Sequence, residues 1–249
     1  MKIVIIGGTG LIGKKVANHL NKNGHTVIAA SPSTGVNSVT GEGLKEVLTG
    51  TDILIDLSNA PSFEDGPVLE FFKKSGDNLV AAAAAAGVKH HLALSIVGVD
   101  RMLDLGYMRA KKIQEDLIKN SKIPFTIIRS TQFMEFIPAL AGAATQGNTI
   151  HGSHVDFQPI AADDVAALVA KFALATAENL IPEIAGPERR ALSDFFIDYV
   201  QAKDAEKTVV PNQNDEYFGG KVPHDGLVPL GAVTSGKIDF AEWLSKESK

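Results

Sequence analysis

The chain has 249 residues, a formal net charge of −5, 45% hydrophobic and 21% charged residues and no cysteine, which is typical of a globular protein with a substantial core. Because the chain has no cysteine, it can form no disulfide, thiolate nucleophile or cysteine-ligated metal centre. A reducing cytoplasm is the location that we expect. Lysine and arginine occur as scattered pairs and apolar runs are shorter than the ~20 residues that span a bilayer, so we expect neither nucleic-acid nor membrane binding.

The first predicted elements are a strand, a glycine-rich turn and a helix. Ile3–Ile6 is a short β-branched run, as in a strand buried on both faces of a parallel sheet. Gly7 permits a chain reversal, Gly10 permits close approach of a pyrophosphate, and Gly13 permits tight helix packing. The free N–H groups of the helix would face the phosphates. The predicted dinucleotide contacts of this turn are Gly7, Thr9, Gly10, Leu11, Ile12 and Gly13.

The residues after the second predicted strand, His25–Ala30, decide which cofactor is expected. NAD-preferring sites normally carry Asp or Glu at the end of this strand. This chain has Ser31, Ser33 and Thr34 there. Hydroxyls and backbone N–H groups can donate hydrogen bonds to a 2′-phosphate, whereas a carboxylate would repel it. We therefore predict NADP as the cofactor, with NAD possible, and these three side chains as contacts.

A short helix at 43–48 leads to a third buried strand, Asp52–Leu57. Ser58 and Asn59 follow its carboxyl end, where ligands of open α/β sheets bind. A loop that only caps the next helix explains Ser58 equally well. The residues by themselves leave both interpretations open.

Histidines occur in two groups that could suggest a metal site. An alanine-rich helix, Asp77–Ala86, precedes a strand at His90–Val97, and adjacent histidines in a strand point to opposite faces. His151 and His154 flank a Gly-Ser pair typical of a surface turn. We therefore predict no metal site.

Three polar side chains form a candidate catalytic group. Ser95 lies in the fourth predicted strand, and Tyr107 and Lys111 lie four residues apart in a helix at 106–118, so their Cβ atoms share one face at ~5–6 Å. A neighbouring ammonium favours the phenolate, which would lower the pKa of Tyr107 from ~10. Its acid form would protonate a carbonyl oxygen as hydride arrives. Exposed Tyr-x-x-x-Lys pairs arise by chance in many helices, but the glycine turn favours the functional interpretation.

The Gly-x-x-Gly-x-x-Gly turn, Ser95 and the Tyr107-x-x-x-Lys111 pair together resemble the short-chain dehydrogenase/reductase superfamily. The superfamily's Asn-Asn-Ala-Gly stretch is replaced by Ser58-Asn-Ala-Pro61, and its helix asparagine has no clear equivalent. The chain therefore resembles the atypical branch, close to the NmrA-like NAD(P)H-binding proteins, over residues 2–131.

The resemblance implies a role for each residue. Ser95 would polarise a carbonyl, Tyr107 would transfer the proton, and Lys111 would hold the nicotinamide ribose and lower the tyrosine pKa. The adenosine ribose would lie along the loop after the third strand. After the strand Pro124–Arg129, the chain would reach the nicotinamide carboxamide. The further cofactor contacts implied are Leu57, Ser58, Asn59, Lys111, Thr131 and Phe133.

The carboxyl-terminal half shows weaker patterns. We expect a strand near 155–160, a helix from 162 to about 175 whose Asp163 and Asp164 stabilise its N-terminus, and a strand and turn at 182–187. A helix at 192–201, a loop-rich stretch at 209–237 and a short helix at 240–244 follow. The loop-rich stretch would cover a pocket mouth, with Tyr217, Phe218 and His224 as substrate contacts.

These features predict an α/β fold, a Rossmann-type doubly wound parallel sheet with a small carboxyl-terminal substrate lobe. We expect one NAD(P)-binding domain over 1–249, with a cofactor-binding core at about 1–131 and a substrate-covering part at about 132–249. The expected function is NADP(H)-dependent hydride transfer to or from a small carbonyl, quinone or alcohol. The alternatives are a non-catalytic NAD(P)H-sensing regulator and a nucleotide-sugar epimerase, for which 249 residues leave little room. The oligomeric state is left open.

Overall fold

The computed structural model describes residues 1–203, 206–218 and 220–247. It divides the chain into two compact units, the first comprising Met1–Arg129 and Val165–Pro182 and the second comprising Ser130–Asp164 and Glu183–Lys249. The expected organisation as one domain stays a prediction.

The elements alternate between strand and helix over the first half of the chain. The strands are β1 (Lys2–Ile6), β2 (Thr26–Ala30), β3 (Ile53–Asp56), β4 (His90–Ile96), β5 (Phe125–Ser130), β6 (Thr145–Gln146), β7 (Thr149–Gly152), β8 (Asp156–Phe157), β9 (Glu183–Ala185), β10 (Arg190–Ala191), β11 (Thr208–Pro211), β12 (Glu216–Tyr217), β13 (Gly220–Lys221) and β14 (Val233–Ser235). The helices are α1 (Leu11–Lys22), α2 (Leu44–Leu48), α3 (Asp65–Ala86), α4 (Gly106–Asn120), α5 (Ile137–Ala143), α6 (Ala162–Ala173), α7 (Leu192–Lys203) and α8 (Phe240–Glu247).

The sheet of the first unit has the strand order β5-β4-β3-β1-β2. The pairs β1–β2, β1–β3 and β3–β4 are parallel, so each needs a crossover connection, which α1, α2 and α3 supply. The strand order reverses at β1. The carboxyl ends of β1 and β3 therefore form a topological switch point, where ligands of such sheets bind. The predicted Rossmann-type doubly wound sheet is confirmed.

The core of the first unit explains its sequence pattern. Ile3, Val4 and Ile5 of β1 are all 0% exposed, because helices cover both faces of the strand. On one face, Val4 packs in a cluster with Leu54 of β3 and Leu79 of α3. Small and β-branched residues at these positions let helix and sheet approach closely.

Helix α3 is longer than its sequence pattern predicts. The alanine-rich run predicts Asp77–Ala86, whereas the helix begins at Asp65. Pro67 would break a helix interior, but it lies in the first turn, where its missing N–H leaves no hydrogen bond unmade. The boundary predicted from composition was therefore wrong by three turns.

The second unit contains short strands that the sequence did not predict. β7 pairs with β6 and with β11, so His151 lies in a strand and not in a surface turn. The stretch 209–237 contains strands as well as loops, because β14 pairs with β9 and β12 pairs with β13. The strand expected at 155–160 is limited to β8, which pairs with β10. Strands of two to four residues are too short to show a periodic pattern.

Within the described ranges, no helix combines the length and the apolar character that crossing a membrane requires.

Candidate active site

The turn after β1 has the backbone geometry that its glycines predict. Gly7 has φ +75°, a conformation that side chains disfavour. A Cβ on Gly13 would overlap the carbonyl oxygen of Gly7, so α1 packs directly on the turn. The structural roles predicted for these two glycines are confirmed. Gly8 was missed, although a Cβ there would lie 2.6 Å from the Cα of Ala29.

Gly10 is different, because the fold does not require a glycine there. Its backbone has φ −77° and ψ −178°, and an added Cβ would meet only the Gly7 carbonyl oxygen, at 3.2 Å. Gly10 is the N-cap of α1 and makes no side-chain capping bond. The first turn of α1, every residue of which the structure describes, holds no acidic side chain. The N–H groups of that turn have no acceptor within the helix. The turn at Thr9, Gly10 and Leu11, in which Thr9 is half-buried and the other two are exposed, therefore fits a pyrophosphate.

The loop after β3 lies directly beside this turn. Leu57 donates its N–H to the Ile6 carbonyl at 2.9 Å, and a Cβ on Gly7 would lie 2.6 Å from the Leu57 carbonyl oxygen. Ser58 donates both its N–H and its hydroxyl to the Asp56 carboxylate, at 3.0 and 2.6 Å. The structure thus brings together predicted cofactor contacts from the glycine turn and from the loop after β3.

The Tyr107 hydroxyl contacts the loop after β3, at the same edge of the sheet. It donates to the Asn59 side-chain oxygen at 3.1 Å. The Tyr107 ring lies between Phe63 and Phe72, with centroids 5.5 and 6.1 Å away. Burial raises the pKa of Tyr107 to about 12, because a phenolate is poorly solvated among aromatic rings. The expected lowering of this pKa was therefore wrong, and Tyr107 is a protonated donor at neutral pH.

Lys111 is buried, and its ammonium has hydrogen-bond partners other than the Tyr107 hydroxyl. It is 3% exposed, and its ammonium donates to the Leu94 carbonyl at 2.8 Å and to the Gln114 side-chain oxygen at 2.5 Å. The ammonium also lies 4.6 Å from the centroid of the Phe72 ring. Burial lowers the pKa of Lys111 to about 8, although nearby carboxylates favour its charged form.

Ser95 contacts a carboxylate that the sequence analysis missed. Its hydroxyl donates to Glu115 at 2.7 Å, and Arg129 binds both oxygens of Glu115 at 2.9 Å. Arg129 also donates to Asp100 at 2.9 Å. Burial by itself would raise the pKa of Glu115, but the hydrogen bonds from Arg129 and Ser95 hold it below its ordinary value. An arginine in a buried strand was a signal that a carboxylate partner was needed.

Substituting Glu115 should test this buried network. In Glu115→Gln, Arg129 loses its bidentate carboxylate partner, and the free energy of unfolding should fall by ~1.5–3 kcal/mol. Urea unfolding monitored by circular dichroism measures the change. A matched control is Asp77→Asn, which removes an exposed pair with Lys73 at 3.3 Å and should cost at most ~0.5 kcal/mol. Equal effects of the two substitutions would contradict the structural importance of Glu115.

The three hydroxyls after β2 bond chiefly within their own turn. The Ser31 and Ser33 hydroxyl oxygens lie 2.8 Å apart, and the Ser31 N–H donates to the Thr34 hydroxyl at 2.9 Å. Ser31 is buried, whereas Ser33 and Thr34 are exposed. Thr34 borders an open cavity of about 730 Å³ whose charged lining residues are Glu42 and Glu46. The exposed hydroxyls of Ser33 and Thr34 are therefore the groups that this turn offers to a 2′-phosphate, whereas the carboxylates of Glu42 and Glu46 disfavour one in the cavity.

The remaining predicted contacts belong to the second unit. Thr131 is 1% exposed, and its hydroxyl has no hydrogen-bond partner among the residues that the structure describes. The Phe133 ring stacks on Phe136 at 5.5 Å. Phe218 is 69% exposed, and His224 forms a 2.8 Å hydrogen bond with Asp215. Their contacts with cofactor or substrate stay predictions.

Over the described part of the chain, no three His, Asp or Glu side chains are placed to hold a metal ion. His90 forms a 3.0 Å hydrogen bond with Thr126, and His91 is 1% exposed.

Comparisons with known proteins concern both sequence and fold. A family model described as NAD(P)H-binding matches residues 7–176. The (4-alkanoyl-5-oxo-2,5-dihydrofuran-3-yl)methyl phosphate reductase of Streptomyces griseus is 27% identical over 202 residues, which cover 75% of this chain and 68% of that protein. The photosystem II assembly factor Ycf39 of Synechocystis is 24% identical over 149 residues, or 54% of this chain. That match spans only 46% of the assembly factor's length.

A solved structure extends the likeness to nearly the whole chain. The NADPH-dependent quinone oxidoreductase of Escherichia coli superposes with a TM-score of 0.71 at 20% identity, covering 99% of this chain and 100% of that chain. At this identity the likeness concerns the fold alone.

Proposed function

Because the chain belongs to the NAD(P)H-binding family, which confirms the family and the cofactor class predicted from its motifs, we propose that it is an NADP(H)-dependent oxidoreductase. The substrate is a small carbonyl, quinone or alcohol. The observation that carries the proposal is the hydrogen bond from Tyr107 to Asn59, which holds a protonated donor beside the glycine turn at the switch point of the sheet.

Each residue of the candidate site has a role in this proposal. The N–H groups at the start of α1 bind the pyrophosphate, and Asn59 orients the Tyr107 hydroxyl. When bound at the glycine turn, NADP(H) would supply or accept the hydride. In the direction of reduction, the Tyr107 hydroxyl exchanges its hydrogen bond to Asn59 for one to the substrate oxygen and donates its proton there, and Lys111 would hold the nicotinamide ribose. Ser95 polarises the same oxygen after its hydroxyl turns from Glu115 to the substrate.

The names of similar proteins are consistent with reduction as the reaction class. The Streptomyces relative is named as a reductase, and the Escherichia coli structure is titled an NADPH-dependent quinone oxidoreductase. The direct test is a panel of aldehydes, ketones and quinones, with NADPH oxidation followed by absorbance. Substrate-dependent oxidation supports the proposal, and none across the panel contradicts it.

One arrangement favours a second candidate, a non-catalytic NAD(P)H-sensing regulator of the NmrA type. The Lys111 ammonium is bonded to Leu94 and Gln114, so it does not assist Tyr107 in this structure. A relative named as an assembly factor is consistent with a protein-binding role. The sensor predicts tight NADPH binding with no oxidation across the panel, and partner binding that depends on the cofactor. No contact among the residues that the structure describes favours the epimerase alternative.

The cofactor preference can be tested at Ser33, which is exposed where Ser31 is buried. We expect NADPH to bind more tightly than NADH to the unmodified protein, because no acid follows β2. Ser33→Asp should weaken NADPH binding by ~5-fold or more, since a carboxylate ~4 Å from a phosphate costs about 1 kcal/mol even in water. NADH binding should change little. Titrations of both cofactors by fluorescence measure this, with Ser33→Asn as the uncharged control. Tighter binding of NADH to the unmodified protein would contradict the assignment.

A further inference from the structure

Asp56 is a buried carboxylate that accepts hydrogen bonds from two separate parts of the first unit. It is 2% exposed and is the last residue of β3. One oxygen accepts from the Ser58 N–H and hydroxyl, at 3.0 and 2.6 Å. The other oxygen accepts from the Gln114 side-chain amide of α4 at 2.7 Å. Asp56 therefore links the loop after β3 to α4.

The bond from Gln114 decides what Lys111 contacts. A glutamine amide has one donating end and one accepting end. Because its nitrogen donates to Asp56, its oxygen must face the other way, and there it accepts from Lys111 at 2.5 Å. Reversing the amide would place its NH₂ group against an ammonium. The Asp56 carboxylate thereby orients the Gln114 side-chain oxygen, and this oxygen is the acceptor for Lys111.

We propose that Asp56 is a positioning residue that couples the loop after β3 to Lys111 through the Gln114 amide. The inference rests on the proposed function, in which that loop and Lys111 both contact the cofactor. A cofactor that engages Ser58 acts on the same carboxylate that orients Gln114. Binding at the ribose loop and the position of the Lys111 ammonium are then parts of one network.

The charged groups around Lys111 determine the direction in which its pKa shifts when Asp56 is substituted. Burial lowers the pKa of Lys111 to about 8, although the carboxylates of Asp56 in β3 and Glu115 in α4 favour the ammonium. His91 of β4 faces Asp56 and is neutral, because burial lowers its pKa to about 4. From α3, the uncharged ring of Phe72 packs against the ammonium. Removing the Asp56 charge must therefore lower the pKa of Lys111.

The experiment measures NADPH affinity against pH, by fluorescence titration, in the full-length protein. For the unmodified protein, affinity should fall as the pH rises through the pKa of Lys111, because the neutral amine no longer holds the ribose. In Asp56→Asn the midpoint should shift to lower pH by ~1 unit or more. Gln114→Met keeps the length of the side chain, leaves the bonds from Ser58 to Asp56 in place, and should shift the midpoint in the same direction.

Two controls separate this coupling from a merely structural effect. Asp52→Asn removes an exposed ion pair with Lys89 at the other end of β3 and should leave the midpoint unchanged. Lys111→Met should abolish the pH dependence, which assigns it to this residue. Because the Asp56 charge also acts on Lys111 directly, an unchanged midpoint in Gln114→Met would overturn the inference even if Asp56→Asn shifts it, as would a midpoint that persists in Lys111→Met. NADPH oxidation, scored separately, tests the oxidoreductase proposal, so the two can fail independently.

Discussion

Tyr107→Phe is expected to reduce carbonyl or quinone reduction by ~10²–10⁴-fold, the contribution of a positioned acid, while NADPH affinity stays nearly unchanged. The substitution removes one oxygen and keeps the ring that packs against Phe63 and Phe72. Because burial raises the pKa of Tyr107 to about 12, the lost group is a protonated donor over the whole neutral range. Steady-state rates and cofactor titrations on the same preparation measure the two effects.

The matched control is Tyr199→Phe, a tyrosine of α7 in the second unit, which should leave the rate unchanged. Asn59→Ala removes the acceptor that orients the Tyr107 hydroxyl and should lower the rate less than Tyr107→Phe does. Full activity in Tyr107→Phe would show that another group transfers the proton. The oxidoreductase proposal would survive that result, whereas a sensor would show no substrate-dependent oxidation in either protein.

Gly10→Val is expected to abolish binding of NADPH and NADH while the fold survives. The backbone of Gly10 is extended, so valine can adopt it, and the nearest atom to an added Cβ is 3.2 Å away. The branched side chain would occupy the space in front of the α1 N-terminus, where the pyrophosphate is proposed to lie. Cofactor titration and thermal unfolding monitored by circular dichroism check the two halves of the prediction.

Other glycines supply the controls for this substitution. Gly13→Ala should destabilise the protein, because its Cβ would overlap backbone of the turn. Gly142→Val lies in α5, where an added Cβ meets nothing within 4 Å, and it should leave cofactor binding unchanged. If Gly10→Val is folded and binds NADPH normally, the assignment of this turn to the pyrophosphate is wrong.

The part of the site that the sequence predicted is the part made by residues close together in the chain. Strand, turn and α1 follow from a β-branched run, spaced glycines and helical periodicity within the first 22 residues. The residues alone left open whether the loop after β3 belongs to the ligand site, and its place beside this turn comes from the pairing of β1 with β3.

The structure overturned predictions that depended on distant neighbours. Tyr107 and Lys111 share a helix, and their spacing suggests an ammonium that lowers the tyrosine pKa. Instead Lys111 bonds to Leu94, and aromatic rings of residues more than thirty positions earlier bury Tyr107. Similarly, the short strands of the second unit exist only through their pairings, as β7 with β11.

By itself the sequence therefore determined the first strand, the glycine turn and α1, because local periodicity and glycine geometry specify these elements. Only the tertiary structure decided the electrostatics of the candidate site. The partner of Ser95 is 20 residues away and the Gln114–Asp56 bond spans 58 residues, and burial changes the pKa of a side chain according to what folding packs around it.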